Sequence, residues 1–256
     1  MQERTKLYFI SDIHLGIPPN EKERECLFVA WLDCVKSDAK KIFLLGDIFD
    51  FWFSYKHVVP RGYVRVLGKL AELSDMGIEI HYAIGNHDMW IFDYFSKELG
   101  INIYSEPWSF TYDGKDFLVG HGDGLGKSDK KYNFLKLLFA SRICQKLFAS
   151  LHPYIGMSLA KFCSKRSRFS HSEMDLTYFG DDKEDITVYC TKALCDKHYD
   201  YCVFGHRHLL LDRPIGKVTR YINLGEWVTA QHYAVYDNHD IRIETFSIDN
   251  VDDKNE

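Results

Sequence analysis

The chain has no C-x-x-C pair. Its seven cysteines (Cys26, Cys34, Cys144, Cys163, Cys190, Cys195 and Cys202) are odd in number and scattered. This excludes a disulfide framework and points to free thiols in a reducing compartment. No apolar run approaches the roughly 20 residues that span a bilayer. The start, "MQERTK" running straight into the strand-like "LYFI", lacks a signal-peptide core, so the expectation is a protein made and kept inside the cell. Repeats and low-complexity linkers are missing as well. So is an overall positive charge: the formal net charge is −5, which gives no reason to expect nucleic acid.

What is present is an ordinary soluble composition, 46% hydrophobic and 27% charged, in 256 residues. That length buries a sizeable core as one large domain, or as one domain with an insertion. Short β-rich runs at 7–10, 42–45, 78–84, 117–119 and 201–204 alternate with helical patterns at 21–36, 61–76, 89–99 and 184–197. Within the first helix Leu27, Val29, Ala30 and Leu32 oppose the charged "EKERE". Strand–helix alternation of this length predicts an α/β layered fold with a largely parallel core. The later runs 221–224, 233–236 and 241–246 are spaced like antiparallel strands, and "YDNHD" between the last two reads as a hairpin turn. In "FDFWFSY" (49–55) Phe51 and Phe53 share one face and Trp52 takes the other, as in a packed strand; "WIFDYF" (90–95) reads as a core-facing helix start.

One segment departs from the alternation. Residues 127–170 hold ten Lys or Arg against the single acid Asp129, a charge of +9 that leaves −14 for the rest of the chain. Its apolar residues, among them Phe134, Leu137, Leu138, Ile143, Leu147, Phe148 and Leu151, have helical spacing, and Pro153 and Gly156 divide it into at least two helices. Basic amphipathic helices are the pattern of a peripheral membrane binder, and a groove of Phe, Leu and Ile also suits acyl chains.

Several apolar runs end in titratable residues: "FISDIH" (9–14), "LLGDIFD" (44–50), "AIGNHD" (83–88), "LVGHGD" (118–123) and "VFGHRH" (203–208). In open α/β sheets ligands gather outside the carboxyl ends of the strands. These ends collect Asp12 and His14; Asp47; Asn86, His87 and Asp88; His121; and His206 and His208. The set mixes nitrogen and oxygen donors with no thiolate, which suits Mn, Fe or Zn and disfavours all-oxygen Ca or Mg sites. It is larger than one ion needs. A two-metal site explains the surplus, since a carboxylate such as Asp47 can bridge two ions that clamp a phosphoryl group.

The ordered motifs D-x-H, G-D-x-x-D, G-N-H-D, G-H-G-D and G-H-x-H resemble those of the calcineurin-like metallophosphoesterases. That resemblance implies a four-layer sandwich, two β-sheets flanked by helices, with a dinuclear site. Asp12, His14 and His208 would hold one ion and Asp47 would bridge. Asn86, His121 and His206 would complete the other, His87 would stand near the leaving oxygen or phosphate, and Asp88 would orient it. "LGDIFDFWF" (45–53), "GHGDGLG" (120–126) and the basic insertion are further similar to the UDP-2,3-diacylglucosamine hydrolases of lipid A synthesis. In that family the insertion is a helical cap forming an acyl-chain chamber. The enzymes cleave the pyrophosphate to UMP and 2,3-diacylglucosamine 1-phosphate at the cytoplasmic face of the inner membrane.

The organisation implied is a phosphoesterase core at 1–126 and 171–248, a cap at 127–170 and a polar tail at 249–256. The expected cofactors are two divalent ions, Mn first, with Fe, Zn or Co as alternatives. The expected partners are a nucleotide-linked glycolipid substrate and an anionic membrane surface met by the cap, with no nucleic acid and no obligate protein partner. Asp129, Lys165, Arg166 and Arg168 are candidate substrate contacts by position and charge. One residue departs from the narrower family: many members carry Arg where this chain has His87. Arg clamps a phosphate bidentately, whereas His also donates or takes a proton. The alternatives are another phosphodiesterase or nucleotide pyrophosphatase on the same scaffold, and a non-catalytic phosphoglycolipid-binding protein.

Overall fold

The computed structural model describes residues 3–126, 130–171 and 177–248, without the side chains of 130–133, 135 and 165–171. The chain opens with β1 (Lys6–Ile10), α1 (Glu21–Val35), β2 (Ala39–Leu44), α2 (Val64–Asp75) and β3 (Glu79–Ala83). A short α3 (Tyr94–Leu99) leads to β4 (Asn102–Tyr104), after which β5 (Trp108–Tyr112) and β6 (Lys115–Gly120) form a hairpin. Three helices follow: α4 (Lys130–Ala140), α5 (Arg142–Ser150) and α6 (Pro153–His171). Then come α7 (Asp185–Asp196), β7 (Tyr201–Phe204), β8 (Leu210–Ile215), β9 (Thr219–Leu224), β10 (His232–Tyr236) and β11 (Ile241–Thr245).

The strands make two mixed sheets, in the orders β11-β10-β1-β2-β3-β4 and β5-β6-β7-β9-β8. Side-chain alternation along each strand separates three apolar layers. Leu7 and Phe9 of β1 point inward with Phe43 and Leu45, meeting Phe117, Val119, Val203 and Ile222 of the second sheet. Tyr8 and Ile10 point outward to Phe28, Trp31 and Leu32 of α1 and Leu70 of α2. On the far side Leu118, Cys202 and Phe204 pack against Ile186 and Cys190 of α7. The result is the expected four-layer α/β sandwich.

Four local expectations are corrected. The buried face of α1 runs Arg24, Glu25, Phe28, Trp31, Leu32, Val35, so Leu27, Val29 and Ala30 flank it. The helix expected at 89–99 begins only at Tyr94, because the chain before it is held extended by a bridge between Phe53 and Trp90. "FDFWFSY" forms no strand beyond that bridge and a second one from Phe49 to Leu15, although its faces do split. Phe51 and Phe53 meet Trp90 and Phe148, while Trp52 packs on Phe49 and Phe95. The run at 221–224 lies in β9, which pairs parallel with β7 and antiparallel only with β8; β10 and β11 are antiparallel as expected. In the insertion Pro153 opens α6, where its missing N–H costs nothing, and Gly156 stays inside the helix. The tail 249–256 lies outside the described residues.

Candidate metal centre

The strand-end residues converge at one edge of the sandwich, where both sheets end. The loop after β1 is tied to the loop after β2 by backbone bonds, Asp12 N to Gly46 O (3.0 Å) and His14 N to Asp47 O (2.9 Å). Arg24 of α1 reaches back to donate to the His14 and Ile17 carbonyls at 3.1 and 3.0 Å. Asn223 of β9 donates to the Gly205 carbonyl at 2.6 Å and fixes the last turn. Four of the candidates, Asp12, His14, Asp47 and His206, have φ between 51° and 68°. Such left-handed backbone is uncommon outside glycine and collects at functional sites. A Cβ on Gly85 would strike the Asp47 carboxylate, and one on Gly205 would lie 2.5 Å from Asp12 Oδ2. Only glycine lets these turns pass so close.

Two adjoining groups, Asp12–His14–His208 and Asp47–His121–His206, each bring ligand atoms within 4.8 Å of one another, and His14 is grouped in the same way with Asp50 and His87. Asn86 Oδ1 stands 3.3 Å from His121 Nε2, beside the second group. His14 Nε2 lies 3.2 Å from His208 Nε2, and Asp12 Oδ1 lies 3.5 Å from His208 Nε2 and 3.8 Å from His14 Nε2. The last two separations are too long for good hydrogen bonds. Asp12 Oδ1 and His14 Nδ1 are buried with no hydrogen-bond partner among the described residues. Converging, unsatisfied N and O donors are what a borderline divalent cation neutralises, so the residues fit the metal pair the motifs imply.

The electrostatics agree with ligand-ready states. Burial and neighbouring His87 push the His14 imidazole down to about 3, and burial with nearby His121 takes His206 to about 4, so both offer neutral nitrogens. Burial opposes ionisation of Asp47, but His121 and His87 hold its carboxyl well below the usual range.

His87 is oriented from one side. Its N–H donates to Asp47 Oδ1 at 2.8 Å, and its ring Nδ1 faces the Asp50 carbonyl at 3.1 Å and the Asp50 carboxylate at 3.4 Å. Burial would lower its pKa, but Asp47 and Asp50 outweigh that and carry it up to about 9. The hydrogen bonds of the Asp88 carboxylate go to groups other than His87. Asp88 accepts from the Ile48 and Gly85 backbone at 2.9 and 2.8 Å and from the Tyr82 hydroxyl, tying the second and third strand ends together. Its carboxyl, raised by burial and Asp47 to about 6, serves the scaffold. The residue that faces the His87 ring is instead Asp50, the last position of G-D-x-x-D.

Two contacts from the helical insertion had no signal in the sequence. Ser164 of α6 donates to Asp50 Oδ1 at 2.6 Å and stands 3.5 Å from His87 Nδ1. Lys136 of α4 meets the buried carboxylate of Asp123 at 2.7 Å. Arg207, between the two histidines of the last motif, turns away to Glu184 at 3.0 Å. Of the expected substrate contacts, Asp129 lies outside the described residues. Lys165, Arg166 and Arg168 lie on α6, whose side chains there are not described.

A family profile described as calcineurin-like phosphoesterase matches residues 5–210 and takes in all five strand-end motifs. The chain belongs to that family. Among its phosphoesterase relatives, a UDP-2,3-diacylglucosamine hydrolase of Porphyromonas gingivalis is 38% identical over 94% of this chain and 98% of its own length. Hydrolases of the same name from Hahella chejuensis and Haemophilus influenzae are 32% and 26% identical, each over 86% of this chain, covering 88% and 90% of their own.

Proposed function

We propose that this phosphoesterase hydrolyses the pyrophosphate of UDP-2,3-diacylglucosamine to UMP and 2,3-diacylglucosamine 1-phosphate with two divalent ions, manganese foremost. The observation that carries the reading is the intact double donor set in a chain that matches a hydrolase of that name over nearly its whole length. Asp12, His14 and His208 would hold one ion, Asn86, His121 and His206 the other, with Asp47 shared. Bound there, the ions supply Lewis acidity toward phosphoryl oxygens and a more acidic water. His87, with Nδ1 engaged by Asp50, presents Nε2 to the departing phosphate oxygen and donates a hydrogen bond or proton to it. Asp50 and Ser164 fix the ring's orientation, so the helical insertion helps set the site.

The same reading places the enzyme at the cytoplasmic face of the membrane that holds its substrate. Phe134, Leu137, Ile143, Leu147 and Phe162 of α4–α6 are exposed, no residue of α5 is buried, and Lys and Arg are interspersed among them. Apolar side chains beside cations suit an anionic lipid surface. No helix among the described residues is long and apolar enough to cross a membrane.

The test is incubation of the manganese-loaded protein with UDP-2,3-diacylglucosamine and mass spectrometry of the products. The reading predicts UMP and the 1-phosphate in equal amounts. Cleavage of a generic phosphodiester without UMP release would favour the broader phosphodiesterase reading that His87, in place of Arg, keeps open.

A further inference from the structure

The last two candidate ligands, His206 and His208, sit on a stretch that belongs to neither sheet. β7 ends at Phe204, β8 begins at Leu210, and the chain between them runs as a bend. His206 has a φ of 68°, left-handed backbone that a non-glycine residue keeps only where its surroundings enforce it. The first half of the bend is pinned through its backbone. Gly205 N donates to the His121 carbonyl at 3.0 Å, and His206 N donates to Asp12 Oδ2 at 2.9 Å.

The residue between the two histidines is held through its side chain. Arg207 Nε and Nη2 donate to the two carboxylate oxygens of Glu184 at 3.0 and 3.2 Å, and Nη2 also donates to the Thr177 carbonyl at 2.7 Å. A paired fork of this kind fixes direction as well as distance. Glu184 is buried and accepts in addition from Phe179 N at 3.1 Å. It stands immediately before α7, and the first turn of that helix abuts another ligand loop. A Cβ on Gly122, next to His121, would lie 2.5 Å from Ile186 Cδ1. Thr177 follows the helical insertion, so the fork also ties the returning chain to the bend.

A buried ion pair that served only the scaffold would show similar bonds, but two features set this one apart. Its cation lies between ligands of the two donor groups, and its anion heads the helix that presses on the loop of a third ligand. The two roles also predict opposite effects on metal. A cation near a cation site repels the ion, so by charge alone the loss of Arg207 tightens metal binding. The loss of a brace weakens it.

We propose that Arg207 is a positioning residue, whose fork onto Glu184 and Thr177 sets the bend that presents His206 and His208 to the two ions. The start of α7 is its fixed support. The proposal rests on the two-ion reading above and adds to it the element that aligns the last motif.

The test equilibrates the full-length, manganese-loaded protein against a series of manganese buffers and counts the retained metal by elemental analysis. Arg207→Met needs at least about tenfold more free manganese than wild type for half occupancy, the lower end of the range for residues that orient metal ligands. That variant leaves the Glu184 carboxylate buried without its cation, which threatens folding. Glu184→Gln combined with Arg207→Met therefore removes both charges and keeps an acceptor for Phe179 N. In chelator this double variant melts close to wild type, and with manganese it shows the same weakened retention as Arg207→Met. Tighter retention in Arg207→Met overturns the proposal. Wild type retaining two ions, with the folded double variant matching it at every manganese concentration, overturns this assignment alone. Wild type retaining fewer than two ions overturns the two-ion reading and this assignment with it.

Discussion

Single contacts decide how His87 can act. One ring nitrogen is engaged by Asp50, and Asp50 is itself held by Ser164 from the insertion. Asp50→Asn therefore lowers kcat by about 10²-fold, the lower end of what positioned proton transfer contributes, with metal content unchanged. Ser164→Ala lowers it about fivefold, the worth of one neutral hydrogen bond. Steady-state kinetics beside elemental analysis separates these losses from loss of metal. Far from the site, His81 lies on β3 with its ring stacked on Phe43, centroids 4.9 Å apart. Burial, helped by Lys41, pushes it down from 6.5 to about 4. Between those values the unfolded chain binds a proton that the folded chain refuses, so stability is complete above 6.5 and falls as pH drops toward 4. At about 1.4 kcal/mol per unit, His81→Phe should gain roughly 2 kcal/mol on wild type between pH 7 and pH 5 in urea unfolding. A gap that does not change with pH would contradict this. Residues that end strands were legible in the sequence because motif and turn coincide there. Asp50 was half legible, quoted in its motif without a role. Ser164 was not, because nothing in a helical pattern says which serine faces a loop 114 residues away.

Among the elements, the three helices of the insertion combine a basic sequence with many exposed apolar side chains among the described residues. Leu137 and Ile143 are both 72% exposed. The prediction is that the protein cosediments with vesicles containing anionic lipid and much less with neutral ones, and that salt weakens the association. Replacing Leu137, Ile143 and Leu147 together by serine should weaken binding to anionic vesicles by at least tenfold, since each buried apolar side chain contributes on the order of 1.5–3 kcal/mol. Equal binding by the triple variant would leave the exposed face without this role. The helices were legible from their period, whereas three strands were not. β4 has three residues, β5 alternates half-buried and exposed positions at an edge, and β8 is an edge strand containing Pro214. Each lacks the continuous apolar run of a buried strand, and proline is tolerated only at such edges.

On the scale of the whole molecule, two sheets packed face to face bring strand ends from both onto one rim, and residues nearly 200 positions apart touch there, as His14 and His208 do. The alternation of strands and helices made the layered class legible. The pairing of late strands was not, since local spacing does not say whether β9 lies beside β7 or only beside β8. Asp47 stands at the centre of this convergence. It touches His121 at 3.3 Å and accepts from His87 N, at the junction of the two donor groups. The central claim is therefore tested by the manganese bound per chain, measured by elemental analysis after gel filtration for wild type and Asp47→Ala. The account predicts two ions in wild type and fewer than one in the folded variant, with turnover abolished. Equal metal content in the two proteins, or one ion or none in wild type, would contradict it.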